Sequence, residues 1–336
     1  MQLKDKRLKL QSKRIRRLKW GVAGCGRFLE GTFLPTLQQV KRSKLVSVYS
    51  SDIHRAKYIA NKFGAQYYYN SFDEFLASDI EAVYISSKNS DHFWQVAACA
   101  NAGKKILCEK PLALDSNQAS EMINLCKENN ALLSINYVYR FHPLVVKTKE
   151  LIDKNTIGKI VSISADFNID FAPGDNFRFV KSQSGGGALR DIGTHMIDIL
   201  RYFGGEIVEI KGFLDNVVYK SDVEDFANGI VKFSKSGYGY FTASYNSKSQ
   251  FNRIEIIGYN GCISIDNMIG RKTVTSKLTI DLYGEARKAF RRRANKQLLL
   301  LRSIQKSFLK NEKPLITGED GLVNIELMEA LENSCP

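Results

Sequence analysis

A short apolar run, Lys19-Trp20-Gly21-Val22-Ala23, ends on the turn Gly24-Cys25-Gly26 and passes at once into Arg27-Phe28-Leu29. A buried strand that turns this tightly into a helix needs a glycine at the turn. A second glycine lets an anion approach the N–H groups at the helix start. Leu29 stands where a third small residue is usual, so this is most, not all, of a dinucleotide-binding turn. A second strand-like run, Lys44-Leu45-Val46-Ser47-Val48-Tyr49, ends on Ser50 and Ser51, with Asp52 and Arg55 beyond. The end of that strand is where a ribose-reading residue belongs. An acid there would bind the ribose 2′-hydroxyl of NAD. Serines with a nearby arginine leave room for a 2′-phosphate, which favours NADP over NAD.

From residue 20 to about 140, short apolar runs alternate with helical patterns at Phe72–Leu76, Phe93–Ala102 and Asn117–Asn129. That alternation is the texture of a doubly wound parallel sheet. From about residue 158 strands dominate: 160–167, 207–218, 227–233, 238–245 and 253–265. Ser234-Lys235-Ser236-Gly237 and Tyr259-Asn260-Gly261 read as hairpin turns between them. A chain of 336 residues exceeds what one core usually serves. The expectation is α/β: a Rossmann domain over 20–142, then an α+β domain with a large, mainly antiparallel sheet over 143–336.

Two further segments carry chemistry. In Lys105-Ile106-Leu107-Cys108-Glu109-Lys110-Pro111 a strand delivers a lysine directly before a proline, which restricts the lysine's backbone. Alone, this is a solvated lysine at a turn; beside a nicotinamide it serves proton transfer or binds a substrate oxygen. In Gly185-Gly186-Gly187-Ala188-Leu189-Arg190-Asp191-Ile192-Gly193-Thr194-His195, glycines run into a helical pattern. Asp191 and His195 lie about 6 Å apart in rise, a little over one turn, and so share a face. Histidine moves protons near neutral pH, and an acid one turn away can orient it or hold a substrate hydroxyl. By itself the pair is more often a surface or capping contact.

Together these segments resemble the Gfo/Idh/MocA oxidoreductases. The resemblance runs from Trp20 almost to the end. It includes Tyr84–His92, the Ala102–Ala113 signature, the Asn136-Tyr137-Val138-Tyr139-Arg140-Phe141-His142-Pro143 crossing and Thr317-Gly318-Glu319-Asp320-Gly321. Ser-Lys-Asn at 87–89 replaces the more usual Thr-Pro-Asn. The resemblance implies His195 as general base for alcohol oxidation or acid for ketone reduction, with Lys110 assisting and Asp191 orienting the site. It places Glu109, Asn89 and His92 beside the nicotinamide and its ribose, and Arg178 on the substrate. It also implies assembly as a dimer or tetramer. The function it implies is hydride transfer between NAD(P) and a ring hydroxyl or ketone of a sugar, cyclitol or nucleotide-activated sugar. The alternative is a non-catalytic sugar- or cofactor-sensing protein on the same fold, which needs none of Lys110, Asp191 and His195 as proton carriers.

The net charge of +14 is local. Residues 1–19 carry +8 and residues 287–310 carry +9, leaving about −3 for everything else. The first segment reads as a basic extension and the second as a basic helical segment of the C-terminal domain. A solvated extension explains them most simply; peripheral contact with an anionic membrane surface comes next. Nucleic-acid binding comes last, because no recognised module or aromatic-rich basic stripe accompanies the charge. The charge also tilts the substrate reading toward a nucleotide-activated sugar. No apolar core of a secretory signal and no run of 18 apolar residues is present, so a cytoplasmic location is expected. The six cysteines and four histidines are scattered without zinc spacing, and no metal is expected.

Overall fold

The computed structural model describes residues 16–269 and 274–335. Six strands form the first sheet: β1 (Leu18–Ala23), β2 (Ser43–Tyr49), β3 (Tyr67–Tyr69), β4 (Ala82–Ile85), β5 (Lys105–Cys108) and β6 (Leu133–Ile135). Their order is β3-β2-β1-β4-β5-β6 and every pairing is parallel. The order reverses at β1, so the carboxyl ends of β1 and β4 flank the crevice where such sheets bind ligands. β4 is buried along its whole length, as a central parallel strand must be.

The second sheet has eight strands: β7 (Ile160–Asp170), β8 (Ile207–Asp215), β9 (Phe226–Phe233), β10 (Tyr238–Ser244), β11 (Asn246–Gly258), β12 (Gly261–Asp266), β13 (Ser276–Leu282) and β14 (Lys288–Arg292). Their order is β14-β13-β12-β11-β7-β10-β9-β8. All pairs are antiparallel except β7 with β10. Both predicted hairpin turns join successive strands. At the crossing between the sheets, Arg140 is buried and holds Asp198 at 2.6 Å and Asp320 at 3.0 Å. His142 caps the following helix, its Nδ1 accepting from Leu144 N–H at 3.2 Å.

The two basic segments fall differently from the sequence reading. Leu18 and Lys19 belong to β1, where Leu18 is fully buried; residues 1–15 lie outside the described residues. Residues 287–310 are not one helix: Lys288–Arg292 is the exposed edge strand β14, and only Lys296–Lys310 is helical. That helix packs on the nucleotide domain, not the second. Leu300, Leu301, Ile304 and Phe308 form its apolar stripe and join Trp20, Phe33 and Tyr84 in one buried cluster. Phe308 lies 5.9 Å from Trp20, ring centre to ring centre.

Candidate active site

The Gly24-Cys25-Gly26 turn sits at the carboxyl end of β1. Gly24 has φ +86°, and a Cβ there would lie 2.4 Å from Ser87 N, so the turn is pressed against the end of β4. Gly26 instead faces open space on the cleft side, with nothing within 4 Å of an added Cβ. A tight turn with backbone room beside it is what a dinucleotide pyrophosphate requires, and the residues present fit that group. Leu29, where a small residue is usual, is fully buried and begins a π-helical turn over Leu29–Phe33. Arg27, Phe28 and Leu29 line the cleft beside the turn.

At the end of β2, Ser50 is buried and Ser51 exposed. Arg55 does not stand free to meet a phosphate. Its Nε donates to Cys25 O at 2.9 Å, and its Nη2 pairs with Glu30 at 2.5 Å. Lys62 reaches the other Glu30 oxygen at 2.5 Å. Hydrogen bonds from Lys62 and Arg55 hold the Glu30 carboxyl down to about 2.

One cleft of about 710 Å³ runs from this turn to the second sheet, a volume suited to a small-molecule site. Of the residues expected beside the nicotinamide, Glu109 and Asn89 line it. Asn89 Nδ2 donates to Ser184 O at 2.8 Å, joining the domains there. Glu109 Oε1 accepts from Asn136 Nδ2 at 2.5 Å and from the Tyr84 hydroxyl. Burial raises the Glu109 carboxyl above its usual range although both partners pull the other way. His92 departs from expectation: it is fully buried and absent from the cleft lining. Its Nδ1 meets Pro111 O at 2.9 Å, so it supports the Lys110–Pro111 turn from behind. Burial holds His92 at about 4, and therefore neutral.

The Lys110–Pro111 peptide is cis. Lys110 Nζ donates to Asp191 Oδ1 and to Asp191 O, both at 2.6 Å. The other Asp191 oxygen accepts from the Tyr245 hydroxyl at 3.0 Å and pairs with Arg178 Nε at 3.2 Å. Burial alone would raise the Asp191 carboxyl. Lys110 and Arg178 overcome it and hold the group far below the carboxylate range.

Asp191 and His195 occupy one helix face as predicted, but the helix is π-wound over Leu189–Gly193 before turning α-helical at Thr194. Such bulges recur at functional sites. The entry to this turn is built on Glu224, whose carboxylate accepts from Gly187 N and Leu189 N, each at 2.9 Å. A Cβ at Gly187 would fall 1.9 Å from Glu224 O, which leaves only glycine room there. The acid does not orient the imidazole: its partners are Lys110, Tyr245 and Arg178. Instead the His195 ring, 7% exposed, meets Tyr139 edge-on at 4.6 Å and Tyr137 at 6.1 Å, with its Nδ1 buried and unpartnered. Burial, then Lys110, lower its pKa well below the ordinary value; Lys296 adds to this and Asp191 opposes it. At neutral pH the ring is uncharged.

Tyr245, Glu224 and Lys296 gave no motif in the sequence, because each reaches the site from a distant element. Asn136 and Tyr139 lay inside the crossing segment but carried no sign of their contacts. None of residues 287–310 lines the cleft. That segment therefore gives no support to the tilt toward a phosphate-bearing substrate; the other source of the tilt, the basic segment 1–19, lies outside the described residues up to residue 15.

Residues 18–137 match an oxidoreductase family with an NAD-binding Rossmann fold, and residues 145–264 match the GFO/IDH/MocA C-terminal domain. An oxidoreductase named P35 from Formosa agariphila is 29% identical over 279 residues, 80% of this chain and 85% of its own. A levoglucosan dehydrogenase solved with NADH and levoglucosan superposes with a TM-score of 0.87 at 22% identity, over 95% of this chain and 97% of its own. A 3-ketoreductase from Actinomadura kijaniata solved with NADP and TDP-benzene gives 0.84 at 24% identity, over 95% and 98%. At these identities the two solved structures share the fold.

Proposed function

The chain belongs to the GFO/IDH/MocA oxidoreductases, and on that premise we propose that it oxidises a ring hydroxyl of a sugar, cyclitol or nucleotide-activated sugar. The observation that carries this is one cleft holding the Lys110–Asp191 pair and a neutral His195 beside the glycine turn. A dinucleotide held at its pyrophosphate by that turn would supply the hydride acceptor. His195 receives the hydroxyl proton: a neutral ring protonated at Nδ1 presents its Nε2 lone pair. Lys110 spends two donors on Asp191 and keeps a third to hold the substrate oxygen. Asp191 fixes that ammonium, and Arg178 takes a neighbouring hydroxyl. Phe167, Phe171 and Phe177 supply an apolar wall for a sugar ring.

NADP remains the favoured cofactor. Ser50 and Ser51 put no carboxylate at the end of β2, which is the support for this reading; Arg55 and Lys62 are both paired with Glu30 and would have to leave it to meet a 2′-phosphate.

The test begins with identifying the nucleotide released on denaturing the purified protein. Turnover with NAD and NADP is then measured on levoglucosan, D-xylose, myo-inositol and a TDP-hexose. His195→Asn should abolish turnover while leaving nucleotide binding intact. Tight nucleotide binding with no turnover by the unmodified protein on any of the four would favour the sensing alternative.

Two surfaces support partner readings. Exposed Phe213, Ile230, Tyr238 and Tyr240 share one face of the eight-stranded sheet, which fits a dimer or tetramer interface; light scattering on the purified protein tests it. Arg16, Arg17, Arg42, Arg302 and Lys306 are exposed around the amino ends of β1 and β2, away from the cleft. That face suits peripheral contact with anionic lipid. Salt-sensitive co-sedimentation with phosphatidylglycerol vesicles is the expected result, and equal recovery with neutral vesicles rejects it.

A further inference from the structure

The Lys296–Lys310 helix starts directly behind the catalytic layer. Its first residue, Lys296, places its ammonium 5.1 Å from the Tyr139 ring centre, and Nζ donates to Met268 O at 2.8 Å. Tyr139 in turn packs edge-on against His195. The next residue, Gln297, donates to Asn136 Oδ1 at 3.2 Å, and Asn136 holds Glu109. Two consecutive residues of one helix thus brace both sides of the cleft, His195 through Tyr139 and Glu109 through Asn136. A segment whose charge suggests a surface appendage is built into the support of the site.

We propose that Lys296 is a positioning residue for His195: its ammonium, seated behind the Tyr139 ring that packs on the imidazole, reinforces burial and Lys110 in keeping that ring in its proton-accepting form. This rests on the reading of His195 as the proton acceptor. Three charged groups bear on the ring: Lys110, Lys296 and Asp191. The two cations act in the same direction. Asp191 acts against them, but its carboxylate is already engaged by Lys110 and Arg178. Tyr137 and Tyr139 pack on the ring as neutral groups, and His142, neutral at about 4, feels the same ammonium. Burial lowers Lys296 itself to about 8, so it is charged throughout the range in which His195 would otherwise take a proton. The cost of a second buried charge beside it falls on protonated His195.

The test follows the imidazole directly and needs no substrate. Full-length protein labelled with ¹³C at histidine Cε1 contains four histidines, and His195→Asn identifies the resonance of His195. Lys296→Met should raise the His195 midpoint, whereas Lys296→Arg should leave it unchanged. Lys296→Gln repeats the neutral substitution if the methionine variant does not fold. An unmoved midpoint in both neutral variants overturns the proposal. So does an equal rise in the arginine variant, which would mark a packing role. The underlying reading fails separately: it falls if His195→Asn still turns over sugar, whatever the titrations give.

Discussion

Lys110 Nζ lies 2.6 Å from both the Oδ1 oxygen and the main-chain carbonyl oxygen of Asp191. The double contact ties the end of β5 to the helix that carries His195, across the boundary between the two sheets. It also sets the direction of the third ammonium proton. The lysine is thereby preorganised, as the proposed role in holding the substrate oxygen requires.

On the proposed chemistry, Lys110→Met removes the donor to the reacting oxygen and should lower kcat/KM by about 10²–10⁴, the usual range for a positioned acid–base group. Asp191→Asn keeps an acceptor for Lys110 but loses its charge, so a smaller loss is expected. Steady-state rates on the sugar panel read both. A methionine variant within tenfold of the parent would remove Lys110 from the proposed chemistry.

Glu30→Gln should raise the preference for NADP over NAD by about tenfold, the effect of removing one carboxylate that competes for Arg55 and Lys62. The ratio of kcat/KM for the two cofactors is the measurement. Glu30 was not visible as a selector in the sequence: it lies on the first helix, and only the fold brings it to Arg55. An unchanged ratio would mean that the 2′ position is read elsewhere, with Ser50 and Ser51 the next residues to vary.

The legible parts of the chain were those whose physics is local. The Gly24-Cys25-Gly26 turn needs specific backbone room, and apolar periodicity within each element identifies strands and helices, so the parallel sheet and the hairpins could be anticipated. Asp191 and His195 could be placed on one face because their spacing is helical. Their relation to each other could not, since Lys110, Tyr245 and Arg178 arrive from other elements and take the carboxylate. His92 was misplaced for a similar reason: its neighbours at 89 and 91 are polar, and nothing local says that its ring turns inward to Pro111 O. The helix at 296–310 misled because its charges are dense while its apolar stripe is read only against Trp20.

Buried neutral histidines make stability depend on pH in a defined window. His92 and His142 are held at about 4 by burial, and His195 well below its ordinary value. Unfolding exposes rings that titrate near 6.5. Their stabilising contribution is therefore complete above about 6.5 and is lost as pH falls toward 4, because the unfolded chain takes up protons that the folded one refuses. Urea unfolding between pH 7 and pH 4.5 should show a falling free energy. His92→Gln should flatten the slope by about one proton, or about 1.4 kcal/mol per pH unit. A slope unchanged in that variant would contradict the burial of His92 as a neutral ring.

Phe308→Ala tests whether the Lys296–Lys310 helix is part of the nucleotide domain's core. Phe308 is fully buried, and its ring lies 5.9 Å from Trp20. Truncating a buried phenylalanine costs about 3–5 kcal/mol where the cavity cannot collapse. Collapse is hindered here because Trp20 is fixed in β1 and Phe33 and Tyr84 stack at 3.5 Å on the same face. Loss of the helix would also withdraw Lys296 and Gln297, so activity should fall with stability even though Phe308 is distant from the cleft. Denaturant midpoints and turnover on the same preparations give both quantities. A stability loss under 1 kcal/mol would mean the helix is docked by its polar contacts, Gln305 to Lys41 and Ser43 and Lys105 to Phe308 O. Substitution of Gln305 would then produce the larger effect.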